Sequence, residues 1–309
     1  RGHTDDSRME WRTGLVSREA GTPRRELRSI LVATDLSDEG QVALEAAKQL
    51  VPEADSDLHV VHCLASGAGA APEDEIRGLL LRHVEMAGVK PSRVHLHTPI
   101  GPAHVEIQRT AAELGVQLTV LGRHRPRRAM DGLLGSTADR VVRTSGIPCL
   151  VVNRPLRRRP RALMVASDLS PHSDQALQMA AAWAQGWAAS DAAGEQHGES
   201  QSITVHVVGI ADFARPGYRP LSFVDGLAAR VREMSAWSAA EVRFDSMVRS
   251  APLAPEGLLR AAEELRSDLV FMGTHGHGPI LQALYGSVTS EVIRTLPLAT
   301  VIVPRPRGS

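Results

Sequence analysis

Ile30-Leu-Val-Ala-Thr-Asp-Leu-Ser37 returns 133 residues later as Leu163-Met-Val-Ala-Ser-Asp-Leu-Ser170. Further segments repeat in the same order. Leu118-Thr-Val-Leu-Gly122 answers Leu269-Val-Phe-Met-Gly273, Leu134-Gly-Ser136 answers Tyr285-Gly-Ser287, and Val141-Val-Arg-Thr144 answers Val292-Ile-Arg-Thr295. Cys149-Leu-Val-Val-Asn-Arg-Pro155 answers Thr300-Val-Ile-Val-Pro-Arg-Pro306. The later pairs are offset by 151, so the second copy carries about 18 extra residues. The small, polar stretch from Ala188 to Gln201 reads as the surface loop that holds them. Such a period is too long for a solenoid unit, and 309 residues suit two domains. The expected division is a tail over 1–24, a first domain over 25–154, a linker over 155–161 and a second domain over 162–306. The proline-bounded arginine run Arg154–Arg161 reads as a solvated linker.

Each copy alternates short apolar runs with amphipathic stretches. Strands are expected at Ile30–Ala33, Leu58–Leu64, Val94–His97, Val116–Leu121 and Cys149–Val152. Helices are expected at Asp38–Leu50, Glu73–Ala87 (stopped by Gly88), Ala103–Leu114 (stopped by Gly115) and Ser136–Thr144. The second copy repeats the order, with a strand at Leu163–Ser167, helices at Asp174–Trp187 and Pro255–Arg266, and a strand at Asp268–Met272. This alternation predicts an α/β class: two duplicated doubly wound domains, each a mostly parallel five-stranded sheet with helices on both faces. The apolar runs Cys149–Val152 and Thr300–Val303 end their repeats as sheet edges that need covering. They are expected to join the halves as an intramolecular pseudo-dimer.

Composition narrows the function classes. Lys+Arg and Asp+Glu both number 35, and aromatic residues make up 3% of the chain. Neither a global basic field nor a set of base-stacking rings points to nucleic acid. No apolar run reaches the ~18–20 residues of a membrane span, and Arg1–Glu26 lacks the apolar segment of a signal peptide. The cysteines, Cys63 and Cys149, both lie in apolar runs and read as core residues of a cytoplasmic protein.

In an open parallel sheet, ligands bind beyond the carboxyl ends of the strands at the topological switch point. Three features of the second half converge there: Asp168 after the first strand, Gly273-Thr-His-Gly276 after the fourth, and Gly286-Ser287-Val288-Thr289 opening the last helix. Glycines admit a phosphate close to the backbone, and a helix N-terminus favours an anion. A carboxylate at Asp168 would accept hydrogen bonds from a ribose hydroxyl or an adenine amino group. The same residues also suit plain structure. Asp168-Leu-Ser170 and Ser287 can cap helices, and Gly273 and Gly276 can be turn residues.

The spacing Gly273-x2-Gly276-x9-Gly286-Ser287 resembles the ATP-binding signature of universal stress proteins, and Val165-Ala-Ser-Asp168 resembles that family's first strand. The resemblance covers both halves, as in a tandem universal stress protein, and implies an adenine nucleotide alpha hydrolase-like fold. It implies ATP, with or without magnesium, as ligand. It assigns Ala166, Ser167 and Asp168 to the adenine and ribose side and Ile210, after the second strand, to the base. Met272, Gly273, His275 and Gly276 would form the phosphate-side loop, and Gly286, Ser287, Val288 and Thr289 would hold the phosphates. The first half departs from the pattern, because Gly122-x2 leads to Arg125, although Gly135-Ser136 keeps its place. Arginine there adds bulk, and strain if φ is positive, so the first nucleotide motif reads as degenerate.

The implied function is a non-catalytic or very slow nucleotide-binding stress-response protein, with a homodimer or another protein as further partners. Alternatives are a scaffold of the same fold that binds no nucleotide and, less favoured, an adenylate-transferring enzyme. P-loop phosphoryl transfer is disfavoured, since the only lysines, Lys48 and Lys90, follow no Gly-x4-Gly stretch. No Gly-x-Ser-x-Gly elbow supports a hydrolase. His59, His62, His95 and His97 sit in strand-like runs and suit satisfied or edge histidines better than metal ligands.

Overall fold

The computed structural model describes residues 27–51, 56–65, 72–90, 94–123, 136–192, 202–211, 220–236, 238, 241–274 and 286–304. In the first half the elements are β1 (Ser29–Ala33), α1 (Asp38–Leu50), β2 (Asp57–Val61), α2 (Glu73–Met86), β3 (Val94–His97), α3 (Ala103–Leu114), β4 (Leu118–Gly122), α4 (Ser136–Thr144) and β5 (Cys149–Val152). The second half repeats them as β6 (Ala162–Ala166), α5 (Pro171–Ala192), β7 (Ile203–Ala211), α6 (Pro220–Ser235), β8 (Val242–Ser250), α7 (Ala254–Glu264), β9 (Leu269–Gly273), α8 (Ser287–Thr295) and β10 (Ala299–Val303). The expected 1–24 tail lies outside the described residues.

The strands form one ten-stranded sheet in the order β3-β2-β1-β4-β5-β10-β9-β6-β7-β8. Within each half every pair is parallel. The halves meet where β5 and β10 run antiparallel, with Val151 opposite Thr300, Leu150 opposite Val301 and Cys149 opposite Ile302. All six residues are buried. This closes the edges that the sequence left open and makes a single sheet of the two halves.

Local sequence explains the helices. Ser37 caps α1, accepting from the Gly40 N–H at 3.3 Å, and Asp38 and Glu39 complement the helix dipole. Gly115 ends α3 at φ 62, where a side chain would be strained. Alternation along the strands feeds two cores. One packs beneath α1, α2, α5 and α6 through residues such as Leu44, Leu80, Trp183 and Leu227. The other packs beneath α3, α4, α7 and α8 through Ile107, Val141, Leu258 and Val292. Each core contains residues of both halves.

Two expectations are corrected. Helix α5 does not stop at Trp187 but continues to Ala192, with Ala188 and Ser190 buried. Its alanines are good helix formers, and the extension carries Asp191 to the linker arginines Arg159 and Arg161. The Trp187 indole donates to the Leu50 carbonyl at the end of α1 (3.0 Å), and Trp183 meets Phe271 edge-on. Leu58 and Val205, the register partners of Ile30 and Leu163, lie 147 apart rather than 133, so most of the extra residues do precede β7. Residues 193–201 of the expected loop lie outside the described residues.

The arginine linker is only partly solvated. Arg154, Arg157 and Arg158 are exposed, but Arg159 is 3% exposed and pairs with Asp191 of α5 at 3.0 Å. Arg161 reaches the same carboxylate. Burying a guanidinium requires such a partner, and Asp191 exists in the fold only because α5 is long.

Val151→Pro tests the seam. Proline removes a donor and cannot sit within a central strand. Chemical denaturation should show a loss of at least about 3 kcal/mol. Hydrogen exchange should speed up together in β5 and β10, and acceleration confined to β5 would contradict this account of the joint.

Candidate functional site

The strand order reverses direction between β6 and β9, so the switch point of the second half lies at their carboxyl ends. Ala166 ends β6, and Ser167 continues its ladder through an N–H to the Val208 carbonyl at 2.9 Å. A tight turn follows. Leu169 has φ 63, an uncommon left-handed conformation for a branched side chain. The turn is held by the Leu169 N–H donating to Ser167 Oγ (3.2 Å) and the Ser170 N–H donating to Asp168 Oδ1 (3.0 Å). Ser170 then caps α5, its Oγ accepting from the Ser173 N–H. The first half builds the same turn, with Leu36 at φ 64 held by Thr34 and Asp35. The capping role open to Asp168-Leu-Ser170 on sequence grounds is therefore filled.

Met272 and Gly273 end β9 beside this turn. A Cβ on Gly273 would lie 2.8 Å from the His172 backbone, and one on Gly122 would lie 2.3 Å from the Glu39 carbonyl oxygen. This glycine is required in both halves because the strand end abuts the first turn of that half's first helix, α1 or α5. Beyond Gly273, the Thr274 N–H donates to Val303 and the Thr274 carbonyl accepts from the Gly286 N–H at 2.8 Å. Thr289 is buried, and its hydroxyl donates to the Gly273 carbonyl at 3.0 Å. These bonds pin the start of α8 to the end of β9. Thr274 was not singled out from sequence, because its contribution is made by backbone atoms.

Helix α8 opens at Gly286 with no side-chain cap and no acidic residue in its first turn. Ser287 is exposed at that end, and Val288 packs partly on the core. The matching turn of α4 carries Asp139, paired with Arg143 at 2.6 Å, where α8 has Ser290. The two helix starts thus differ by one acidic residue in the first turn. Ile210 lies inside β7 rather than after it, with its side chain against Gly257 of α7. His275, Gly276, Arg125 and Gly135 lie outside the described residues.

The family is decided at this point by comparison. The model of the universal stress protein family matches residues 26–153 and again residues 160–304. The chain belongs to the universal stress protein family. It carries two universal stress protein domains in tandem. Universal stress protein Slr1230 of Synechocystis sp. PCC 6803 is 26% identical over 174 residues, which cover 55% of this chain and 52% of the relative. Universal stress protein G of Shigella flexneri is 38% identical over 64 residues, or 21% of this chain and 44% of the relative. The matched segments thus span about half of these relatives. The crystal structure of a universal stress protein from Archaeoglobus fulgidus DSM 4304 superposes over 91% of this chain and 99% of its own, with TM-score 0.66 and 18% identity, a likeness of fold.

The histidines of the first universal stress protein domain form a separate group. His59 Nδ1 lies 3.1 Å from His97 Nε2, and the His59 ring stacks on His95 at 5.0 Å. His62 bonds the Thr34 carbonyl, and His83 the Thr34 hydroxyl. Among the described residues no group of three His, Cys, Asp or Glu side chains can hold a metal ion. Burial, then His97 and His95, push His59 down to about 4. Burial pushes Cys63 up to about 11 and Cys149 up to about 12, so neither is a ready nucleophile.

Two outcomes follow. Gly122→Ala and Gly273→Ala should each cost about 1–3 kcal/mol of stability without any ligand, read by urea unfolding, and a neutral Gly122→Ala would refute the packing role. His59 is neutral when folded and titrates near 6.5 when unfolded, so unfolding takes up a proton between pH 6.5 and about 4. Stability should fall as pH drops through that window, and His59→Leu should make the fall shallower; an equal slope in both proteins would exclude His59 as a source.

Proposed function

We propose that the switch-point crevice of the second domain binds an adenine nucleotide, ATP with or without magnesium, and that the protein acts as a nucleotide-responsive binding module rather than an enzyme. The observation that carries this reading is the uncapped, acid-free N-terminus of α8, fixed to the end of β9 by Thr289 and Gly286. Backbone N–H groups at such an end suit phosphate oxygens. Ser287, Val288 and Gly286 would hold the phosphates, with Gly273, His275 and Gly276 of the motif beside them. Ala166, Ser167, Asp168 and Met272 would line the nucleoside side, and Asp168 would accept from a ribose hydroxyl or the adenine amino group. Ile210 is placed to reach a base only at its margin, since its side chain also fills the space above Gly257.

A magnesium ion would neutralise phosphate charge alongside the helix dipole, with Asp168 the nearest carboxylate named at the site. Among the described residues of the site none is arranged as a general base, which supports slow or absent turnover. The first domain differs at the two points that govern an anion, Arg125 in the motif and Asp139 in the helix turn, and binding is assigned to the second domain alone.

Isothermal titration of the full chain with ATP, ADP, AMP and cAMP should give about one site per chain. Gly276→Arg should abolish most of the binding, and Arg125→Gly should change it little. Ser287→Ala should weaken it by roughly 1–3 kcal/mol if the hydroxyl donates to a charged oxygen. Two equivalent sites, or full binding by Gly276→Arg, would refute the assignment, and no heat with any nucleotide would favour the non-nucleotide scaffold.

A further inference from the structure

The antiparallel seam sets the carboxyl edge of the first domain beside the amino end of β10, and so beside the C-terminus of α8. Arg123 follows β4, and its N–H is fixed by the Val152 carbonyl at 2.7 Å. From there its guanidinium crosses the domain boundary and donates to the carbonyls of Arg294 and Leu296 (the latter at 3.4 Å). Asn153 Nδ2 adds a second donor to the Leu296 carbonyl at 2.9 Å. Those carbonyls belong to the last turn and C-cap of α8, where a helix lacks internal donors. A cation there also complements the dipole.

The residues that make this grip are not repeated in the second half. By the 151-residue offset, Thr274 stands in place of Arg123 and Pro304 in place of Asn153. Proline has no N–H, and threonine no guanidinium fork. The Thr144 hydroxyl bonds the Arg140 carbonyl of α4 as the Thr295 hydroxyl bonds Glu291 in α8, so this local bond is common to both helix ends. The first domain therefore holds a helix of the second through two side chains, Arg123 and Asn153, whose counterparts are a threonine and a proline.

We propose that Arg123, with Asn153, is a cross-domain positioning residue for the nucleotide site: it fixes the C-terminus of α8 and so sets where its N-terminus meets phosphate. This rests on the nucleotide reading above. Helix α8 has nine residues and is about 13 Å long. Thr289 and Gly286 pin its start, Arg123 and Asn153 its end, so it moves as one rigid rod. Direct attraction between the guanidinium and a phosphate at that distance is weak, because it exceeds the Debye length of about 8 Å at physiological salt. The effect is one of placement.

Titration of ATP into full-length wild type, Arg123→Gln, Arg123→Lys, Asn153→Ala and Trp187→Phe tests this. Arg123→Gln should bind about five- to tenfold more weakly, within the usual range of intersite coupling. Lysine should restore part of the loss, and Asn153→Ala should cost about two- to threefold. The deficit of Arg123→Gln relative to wild type should persist at 0.5 M salt, on the order of conditions that screen surface charge. Trp187→Phe, which removes a cross-domain bond on the opposite face, should lower thermal stability yet leave affinity unchanged. Wild-type affinity in both Arg123→Gln and Asn153→Ala, an equal loss in Trp187→Phe, or a deficit that vanishes in salt would overturn the proposal while leaving the nucleotide reading intact. A wild type that binds no nucleotide would remove that reading and this inference with it.

Discussion

The pairing of β5 with β10 is the contact on which the remaining architecture depends. Each half ends its repeat with a short apolar strand whose outer side would otherwise present unpaired N–H and C=O groups to solvent. Duplication supplies two such strands in one chain, and antiparallel pairing satisfies both. The sheet becomes continuous, both cores run across the join, and the outer edges become β3 and β8. The same geometry sets the carboxyl edge of one domain against helix ends of the other, which is how Arg123 and Asn153 come to meet α8.

A second constraint acts at the carboxyl ends of β1, β4, β6 and β9. After β1 and β6 a short turn leads into α1 and α5, whose first turns pack against the ends of β4 and β9. Gly122 and Gly273 answer that crowding, and Leu36 and Leu169 accept left-handed backbone for it. Leu169 is anchored by packing on Gly226 of α6. Gly122 persists in the domain whose nucleotide motif is broken by Arg125. The first glycine of the motif is thus a packing residue whether or not a ligand is bound. The features that distinguish the two halves lie elsewhere: Asp139 against Ser290 at the helix start, and Arg125 against Gly276 in the loop.

The halves have diverged in how they hold each other as well. The second carries the long α5, whose Trp187 closes the end of α1 and whose Asp191 neutralises two linker arginines. The first reaches back through Arg123 and Asn153 on the opposite face. These contacts are not related by the pseudo-symmetry of the sheet, so the tandem chain is an asymmetric unit rather than two copies of one domain.

The sequence by itself determined the duplication, the strand and helix order, and the family, because each is written in local periodicity and in residues at fixed spacing. Asp38–Leu50, Val94–His97, Ala103–Leu114, Ser136–Thr144 and Cys149–Val152 were legible to the residue, since caps, glycines and apolar spacing mark their ends. The places of Gly273 at the end of β9 and of Gly286 and Ser287 at the start of α8 were legible for the same reason, as positions in the fold. Only the tertiary structure decided that Ala188–Ala192 is helix and that Arg159 is buried, because small residues and a charged run take their environment from partners distant in sequence. It alone showed that Thr289 spends its hydroxyl on Gly273 and that Arg123 holds α8. Those bonds join atoms up to 173 residues apart, and their partners are backbone carbonyls, which leave no mark in the identity of a side chain.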